Sequence, residues 1–160
     1  EQAALAGIVP LLQDLVENRE FLQNDAFSML CDMTRASLAT RKALWTQGGV
    51  SFLVRSLTVP DLQTPALEAL VDWLGVREHH AQWRARVEGA LLENEEFMNT
   101  ICKLFLTPDA LVFMVKQLLR LVHISHQIKD ALVRNDAFFR ELCSKIERQP
   151  DGSCSPEMPV

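Results

Sequence analysis

The side chains best able to do chemistry in this chain are its histidines. His79 and His80 are adjacent, whereas His123 and His126 are three residues apart. An i, i+3 pair on one helix face could hold a metal ion. However, no third ligand lies nearby in sequence, and Ser125 is typical of a helix start, so the pair is expected to straddle a turn. We therefore expect no metal site and no cofactor.

The four cysteines show no C-x-x-C spacing, which would be the usual sign of a zinc or redox site. Three of them fall on the apolar faces of predicted helices. This placement favours buried, reduced thiols, with a disulfide framework or a zinc site as the alternative. The four are Cys31, Cys102, Cys143 and Cys154.

Catalytic motifs are missing from the sequence. There is no glycine-rich phosphate loop, no H-E-x-x-H, no G-x-S-x-G and no predicted strand to carry such a motif. The carboxylate-rich run at residues 93–96 lies at a corner between helices, where acidic side chains are solvated or stabilise the next helix N-terminus. The prediction is that this chain is not an enzyme.

Composition limits the class of protein. The 160 residues are 48% apolar with a net charge of −5, which is typical of one folded domain and lacks the basic stripe of a nucleic-acid binder. The longest apolar run, Ala110 to Val115, is far shorter than the ~20 residues of a membrane helix. We predict a cytoplasmic protein, with the nucleus as an alternative, and neither nucleic-acid binding nor membrane insertion. Because the chain begins without Met, a further N-terminal segment is expected.

One apolar pattern recurs four times, starting at residues 7, 49, 96 and 138. Its second, sixth and ninth positions are apolar each time. A period of roughly 40–47 residues built from helices is typical of armadillo or HEAT arrays, which bind proteins along a curved surface. The sequence therefore predicts an all-α, right-handed solenoid of about three to four short helical repeats over residues 1–148, with the first and last incomplete. Residues 149–160 are predicted to form a disordered tail.

Each of the first three repeats is predicted to continue into a longer helix after a break. The breaks contain N-cap residues or proline, namely Asn24-Asp25, Thr64-Pro65 and Thr107-Pro108-Asp109. The longer helices are predicted at Ala26–Thr34, Ala66–Gly75 and Asp109–Ile124. The third of these is apolar around most of its circumference, which predicts a place in the interior of the stack.

The second repeat resembles the armadillo family. Gly48-Gly49 matches the family's glycine corner, Leu53 and Leu57 match its second helix, and Ala66 to Asp72 matches its third helix, with Asp72 where the family usually has Asn. The third repeat has acidic residues in place of the glycine corner, so the HEAT arrangement stays open. The resemblance implies that the third helices line a concave binding surface.

A second resemblance is more particular. The stretch from Ile128 to Asp136, with Ile146 to Arg148 and Asp151-Gly152, is similar to the last repeat behind the kinase domain of epsilon-type MAP kinase kinase kinases of plants. Fungal septation kinases share that arrangement, and the stretch from Trp45 to Leu57 also resembles it. The resemblance implies a regulatory or docking segment of a larger kinase and assigns no residue a role.

Aligning Leu30, Leu70 and Leu118 gives the residues that would line the concave surface. The Asn and Trp ladder of nuclear import receptors is absent from them, which excludes that role. An acidic part followed by a basic end could orient an extended peptide that has a basic and an acidic half, so a partner with a basic segment is predicted. A plain solvated face is the alternative. The candidates are Ser28, Asp32, Glu68, Asp72, Lys116 and Arg120.

Three tryptophans complete the list of candidate contacts. Trp45 and Trp73 are expected in the core, whereas Trp83 lies in a polar run and is the candidate exposed anchor. Taken together, these features predict a non-enzymatic module that binds a protein or peptide along the third helices. The alternative is self-assembly, for example as a homodimer, through uncovered terminal helices.

Overall fold

The computed structural model describes residues 7–75, 81–107 and 112–147. Within these ranges the chain forms ten α-helices and no strand, so the predicted all-α class is confirmed. The predicted tail, Cys154, the His79-His80 pair and the break at Pro108 lie outside them. The helices are α1 (Ile8–Asn18), α2 (Glu20–Arg35), α3 (Leu38–Thr46), α4 (Gly49–Ser56), α5 (Pro60–Gly75), α6 (Ala81–Glu93), α7 (Glu95–Leu106), α8 (Val112–Ile124), α9 (His126–Arg134) and α10 (Asp136–Glu147).

Side-chain caps separate consecutive helices. The Ser125 hydroxyl accepts a hydrogen bond from the Ile128 N–H at 3.0 Å, so the predicted helix start between His123 and His126 is confirmed. Asn94 accepts in the same way from the Phe97 N–H at 3.0 Å. Each cap satisfies an otherwise unpaired donor in the first turn, which lets one helix follow another after a single residue.

The corner between α3 and α4 depends on two glycines. Gly48 has a φ of 79°, in the left-handed region that costs glycine little. A Cβ on Gly49 would lie 2.8 Å from the Leu44 carbonyl oxygen and would overlap the Leu44 side chain. The corner therefore brings the two helices closer than any other residue at position 49 would allow.

Two of the predicted helix boundaries were wrong. Helix α2 begins at Glu20 and runs through Asn24-Asp25, and α5 begins at Pro60 and runs through Thr64-Pro65. Pro60 occupies the first helical position, where its missing N–H costs nothing. Pro65 removes only the hydrogen bond to the Asp61 carbonyl, and α5 continues past it.

Helices α2, α5 and α8 lie side by side in one layer, with α5 in the middle. The Cys31 thiol of α2 donates to the Pro65 carbonyl of α5 at 3.7 Å, and Arg35 reaches Asp72 further along. Because these contacts run in the same order along both helices, α2 and α5 are parallel. A Cβ on Gly75 would lie 3.3 Å from Ile124, which places the end of α8 beside the end of α5.

A second set of helices backs this layer. Helix α4 contacts α7, α7 contacts α10, and α6 contacts α9. The apolar core lies between the sets, and the predicted α5 stripe of Leu67, Leu70, Val71 and Leu74 is fully buried. Trp73 is buried as predicted and Trp45 is partly buried against the core.

Helix α8 departs from its prediction. Although it is apolar around most of its circumference, its side chains Val112, Val115 and Leu119 are exposed. The reason is that, among the described helices, α8 has a layer neighbour, α5, on one flank only. The expectation that α8 would lie in the interior was therefore wrong.

Candidate protein-docking face

The side of the α2–α5–α8 layer that points away from the core carries the predicted site residues. Asp32 lies two residues after buried Leu30, and Lys116 lies two residues before buried Leu118. Two residues are about 200° of helix rotation, so both charged side chains are on the side opposite the core. We call this surface the polar face. Its predicted members are Ser28 and Asp32 from α2, Glu68 and Asp72 from α5, and Lys116 and Arg120 from α8.

Asp72 lies at the centre of the polar face. Its Oδ2 accepts a hydrogen bond from Arg35 Nε at 2.6 Å, and its Oδ1 accepts one from Arg120 Nη2 at 2.7 Å. The carboxylate is only 17% exposed, and charge-assisted hydrogen bonds in this geometry are stronger than ordinary surface ion pairs. One side chain on α5 thus joins the helices on both its flanks.

Arg35 is the residue of this network that the sequence did not reveal. Its Nη2 lies 3.2 Å from Glu68 Oε1 and its Nη1 lies 3.8 Å from Asp32 Oδ1. The hydrogen bond from Arg35 to Asp72, with the surrounding carboxylates, raises the pKa of the guanidinium above its ordinary value. The available signal was the position of Arg35 in the last turn of α2, three residues after Asp32, where a cation is favoured.

The network changes the expected charge pattern of the polar face. Asp32, Glu68, Asp72 and Arg120 are brought together, but Arg35 lies among the carboxylates and compensates their charge. Asp32 keeps 70% of its side chain exposed. Ser28 and Lys116 are exposed, and Lys116 forms no ion pair in the part of the chain that the structure describes. The acidic and basic parts are therefore linked rather than separate.

Two aromatic residues that were not predicted as site residues accompany the charges. Phe21 precedes Ser28 by seven residues, which places both on one face of α2, and it is 94% exposed. Phe113 precedes Lys116 by three residues on α8 and is also exposed. A fully exposed aromatic ring is a frequent anchor for a protein partner.

Trp83, the predicted exposed anchor, lies elsewhere and is half-buried. Its ring meets the Trp45 ring edge-on with centroids 6.2 Å apart. Lys42 Nζ and the Arg86 guanidinium lie 5.4 and 5.2 Å from the Trp83 centroid. The ring is already occupied by cation–π and aromatic contacts that join α3 to α6, so the description of Trp83 as exposed is corrected.

The buried reactive groups are used structurally. Desolvation raises the pKa of the Cys31 thiol to about 12 and raises that of Cys102 as well, so both stay protonated near neutral pH. The carboxylate of buried Glu88 accepts a hydrogen bond from the hydroxyl of Ser125, the residue that caps α9. No cluster of three metal-ligating side chains and no helix long and apolar enough to cross a membrane occurs in the described ranges.

Comparison with known proteins finds relatives that are named for cytokinesis. The chain is 35% identical over 146 residues to cytokinesis protein sepH of Emericella nidulans, a match that covers 88% of the chain. It is similar to fungal cytokinesis proteins. The sepH proteins of Aspergillus niger and Aspergillus terreus are each 34% identical to it over the same length. The chain spans about a tenth of the length of these curated relatives.

The family assignment made from the repeat is corrected by these comparisons. No family model matches the chain, and no solved structure matches it either. Identification as an armadillo protein was therefore wrong, as was the placement among epsilon-type plant kinases, because the relatives found are cytokinesis proteins. The apolar period shows how helices alternate along the chain, which is a property shared by many helical proteins.

Proposed function

We propose that this chain is a non-enzymatic protein-binding segment of a larger cytokinesis protein, and that it binds a protein or peptide along the polar face. The similarity to sepH proteins supports the process, and the chain covers only a small part of those relatives. The observation that carries the binding site is the Asp72 network, in which one carboxylate links three parallel helices. Rigid surfaces lose little conformational entropy when they bind a partner.

The helix contacts also support a particular architecture. The order of contacts, with α2–α5–α8 in one layer and α4–α7–α10 in another, repeats with the apolar period of the sequence. We infer a right-handed α-solenoid of short repeats, which presents its layers as extended surfaces. We place its work in the cytoplasm, and nothing supports a nuclear role.

The partner chemistry follows from exposed groups that are unpaired or only weakly paired among the described residues. Phe21 offers an exposed ring, Asp32 offers a mostly exposed carboxylate about three turns further along the same side of α2, and Lys116 offers a cation that forms no ion pair among the described residues, at the other edge of the layer. A partner that places an apolar side chain on Phe21 and a basic side chain near Asp32 would be complementary. Glu68 and Asp72 would contribute little because Arg35 and Arg120 already bind them.

The decisive experiment measures partner affinity with face variants. Partners would be captured with the full-length protein, identified, purified and titrated against the 160-residue chain. The double variant Phe21→Ser with Asp32→Lys should bind at least about tenfold more weakly, since exposed aromatic anchors commonly contribute about 2 kcal/mol. The variant should stay folded because both side chains are largely exposed, with at most a small drop in melting temperature from the lost Asp32–Arg35 ion pair.

The matched control changes the same chemistry off the polar face. Val59→Ser with Glu93→Lys alters an exposed apolar and an exposed acidic residue elsewhere and should leave affinity unchanged. If the face variant binds every captured partner as tightly as the control does, the polar face is not the binding site.

A further inference from the structure

The cations of the described chain differ in what they contact. Arg35 and Arg120 pair with carboxylates on the polar face. Lys42 of α3 and Arg86 of α6 form no ion pair among the described residues, although the chain has 21 acidic residues against 16 Lys and Arg. Both cations instead lie over the ring of Trp83, which is therefore the group that holds them together.

Trp83 is well placed to order these two cations. The residue is half-buried, and its ring meets the Trp45 ring edge-on with centroids 6.2 Å apart. Lys42 Nζ lies 5.4 Å and the Arg86 guanidinium 5.2 Å from the Trp83 centroid. An indole ring attracts a cation through its quadrupole without using the N–H donors of that cation. Because Lys42 and Arg86 are both exposed, those donors remain available to a partner. We call Lys42, Trp83 and Arg86 the cation clamp.

The helices that form the cation clamp are locally basic in an acidic chain. Helix α3 contains Arg41 and Lys42 and no acidic residue. In α6, Arg84 and Arg86 come before the first acidic residue, Glu88, which is buried. The whole chain nevertheless carries a net charge of −5. A cluster of cations on a protein of opposite net charge is complementary to a negatively charged ligand.

The polar face shows how this chain accommodates two neighbouring cations. There, one carboxylate of Asp72 accepts hydrogen bonds from both Arg35 and Arg120. At the cation clamp, Lys42 and Arg86 both lie within 5.4 Å of one ring centroid, so two like charges are close together. Neither is paired with a carboxylate of the described chain, so an anion from a partner would relieve their repulsion as Asp72 does on the polar face.

Carboxylates of a protein fit the cation clamp better than a nucleic acid does. Sites for single-stranded nucleic acids combine a long basic groove with aromatic faces on which bases stack. Here the Trp83 ring is already in contact with Trp45, Lys42 and Arg86, and the net charge of the chain is negative. A short acidic segment needs only the two cations.

We propose that Lys42 and Arg86, ordered by Trp83, bind an acidic segment of a protein partner through charge-assisted hydrogen bonds to its Asp or Glu carboxylates. Holding the two cations on one ring lowers the conformational entropy that they lose on binding. None of the three residues belongs to the polar face, and the charge that they select is opposite to the charge that Asp32 selects there. The cation clamp is therefore a second docking surface, and it does not depend on binding by the polar face.

Fluorescence anisotropy of a labelled hexaglutamate peptide, titrated with the 160-residue chain, tests the proposal. The wild type should bind saturably at low ionic strength, and added salt should weaken the binding. Lys42→Gln with Arg86→Gln should weaken it at least about tenfold, because the charge-assisted hydrogen bonds are lost. Since both side chains are exposed, circular dichroism melts should show that this double variant is folded.

The matched control removes one lysine and one arginine elsewhere. Lys103→Gln with Arg140→Gln changes exposed cations of α7 and α10 and lowers the net charge by the same amount, so it should bind hexaglutamate as the wild type does. Lys116→Gln should also bind normally, which separates the cation clamp from the basic edge of the polar face. If the two double variants bind equally, or if the wild type shows no saturable binding, the proposal is overturned.

Two further measurements test the role of the ring and the class of ligand. Trp83→Leu keeps both charges but removes the ring that orders them, so it should bind hexaglutamate about threefold more weakly. Affinity equal to that of the wild type would contradict the role assigned to Trp83. A labelled deca-thymidine strand should bind more weakly than hexaglutamate does, and tighter binding that is lost in the Lys42→Gln, Arg86→Gln variant would identify a nucleic-acid site instead.

Discussion

Helices α5 and α8 are neighbours in the α2–α5–α8 layer, yet they differ in how much apolar surface they bury. Helix α5 has a layer neighbour on each flank and buries Leu67, Leu70, Val71 and Leu74 completely. Helix α8 is also largely apolar, but among the described helices only α5 lies on one of its flanks, and Leu119 remains 57% exposed. The apolar content of a helix therefore indicates how many neighbouring helices it could pack against. The buried fraction of its apolar side chains shows how many it does pack against.

The largest expected effect is a cavity in the doubly flanked helix. Leu70→Ala should lower the free energy of unfolding by about 2–5 kcal/mol, since Leu70 is fully buried and its neighbours cannot close the space completely. Leu119→Ala on α8 should change it by only about 0.5 kcal/mol or less. Urea denaturation at low protein concentration measures both, and similar losses at the two positions would remove the distinction between α5 and α8.

A second effect concerns the contact between α2 and α5, where Cys31 is buried. Burial raises the pKa of this thiol to about 12 from 9.0, so the folded state favours the neutral form. The resulting stabilisation is complete below about pH 9 and is lost as the pH rises toward about 12.

Cys31→Val removes the titrating group and gives the matched comparison. In that pH window the wild type should lose up to roughly 1 kcal/mol more stability per pH unit than the variant does. Thermal melts across the window measure the difference. If the stabilities of the wild type and of the Cys31→Val variant changed with pH in parallel, Cys31 would not be held in the buried, neutral state.

A smaller effect is expected at the network that joins α5 to both neighbours. Asp72→Asn should cost about 1 kcal/mol, because the amide keeps the shape but loses the charge that Arg35 and Arg120 share. The cost should shrink in high salt, which screens the remaining charges.

The exposed Arg55–Glu17 pair provides the control for this network. Its atoms are 3.4 Å apart and both side chains are more than half exposed, so Glu17→Gln should cost less than about 0.5 kcal/mol. Equal costs at Glu17 and Asp72 would mean that the central network is no stronger than an ordinary surface ion pair.

The sequence predicts most of the architecture because helices carry local signals. The α5 stripe and the Ser125 cap were both identified from residues within one or two turns of each other, and both are confirmed. The starts of α2 and α5 were missed because Asn24-Asp25 and Pro65 are typical of the first residues of a helix. Tertiary packing overrides that local preference.

The polar face was only partly predictable. Aligning the three longer helices on Leu30, Leu70 and Leu118 found Asp72 and Arg120, which do bond to each other across α5 and α8. Arg35 was not found because its partner lies 37 residues away on another helix, and pairing at that separation leaves no mark in a single sequence. The exposure of Phe21 was missed for a related reason, because whether an aromatic residue is covered depends on which helices lie beside it.

The shared carboxylate of Asp72 has an evolutionary consequence. Its two oxygens each accept a hydrogen bond from an arginine of a different helix. A positively charged side chain at this position would therefore be repelled by both Arg35 and Arg120. A lineage could exchange the signs only by changing residues 35, 72 and 120 together. Substitutions at these three positions, which span more than half of the chain, should therefore be correlated among relatives, whereas the exposed residues around them vary independently.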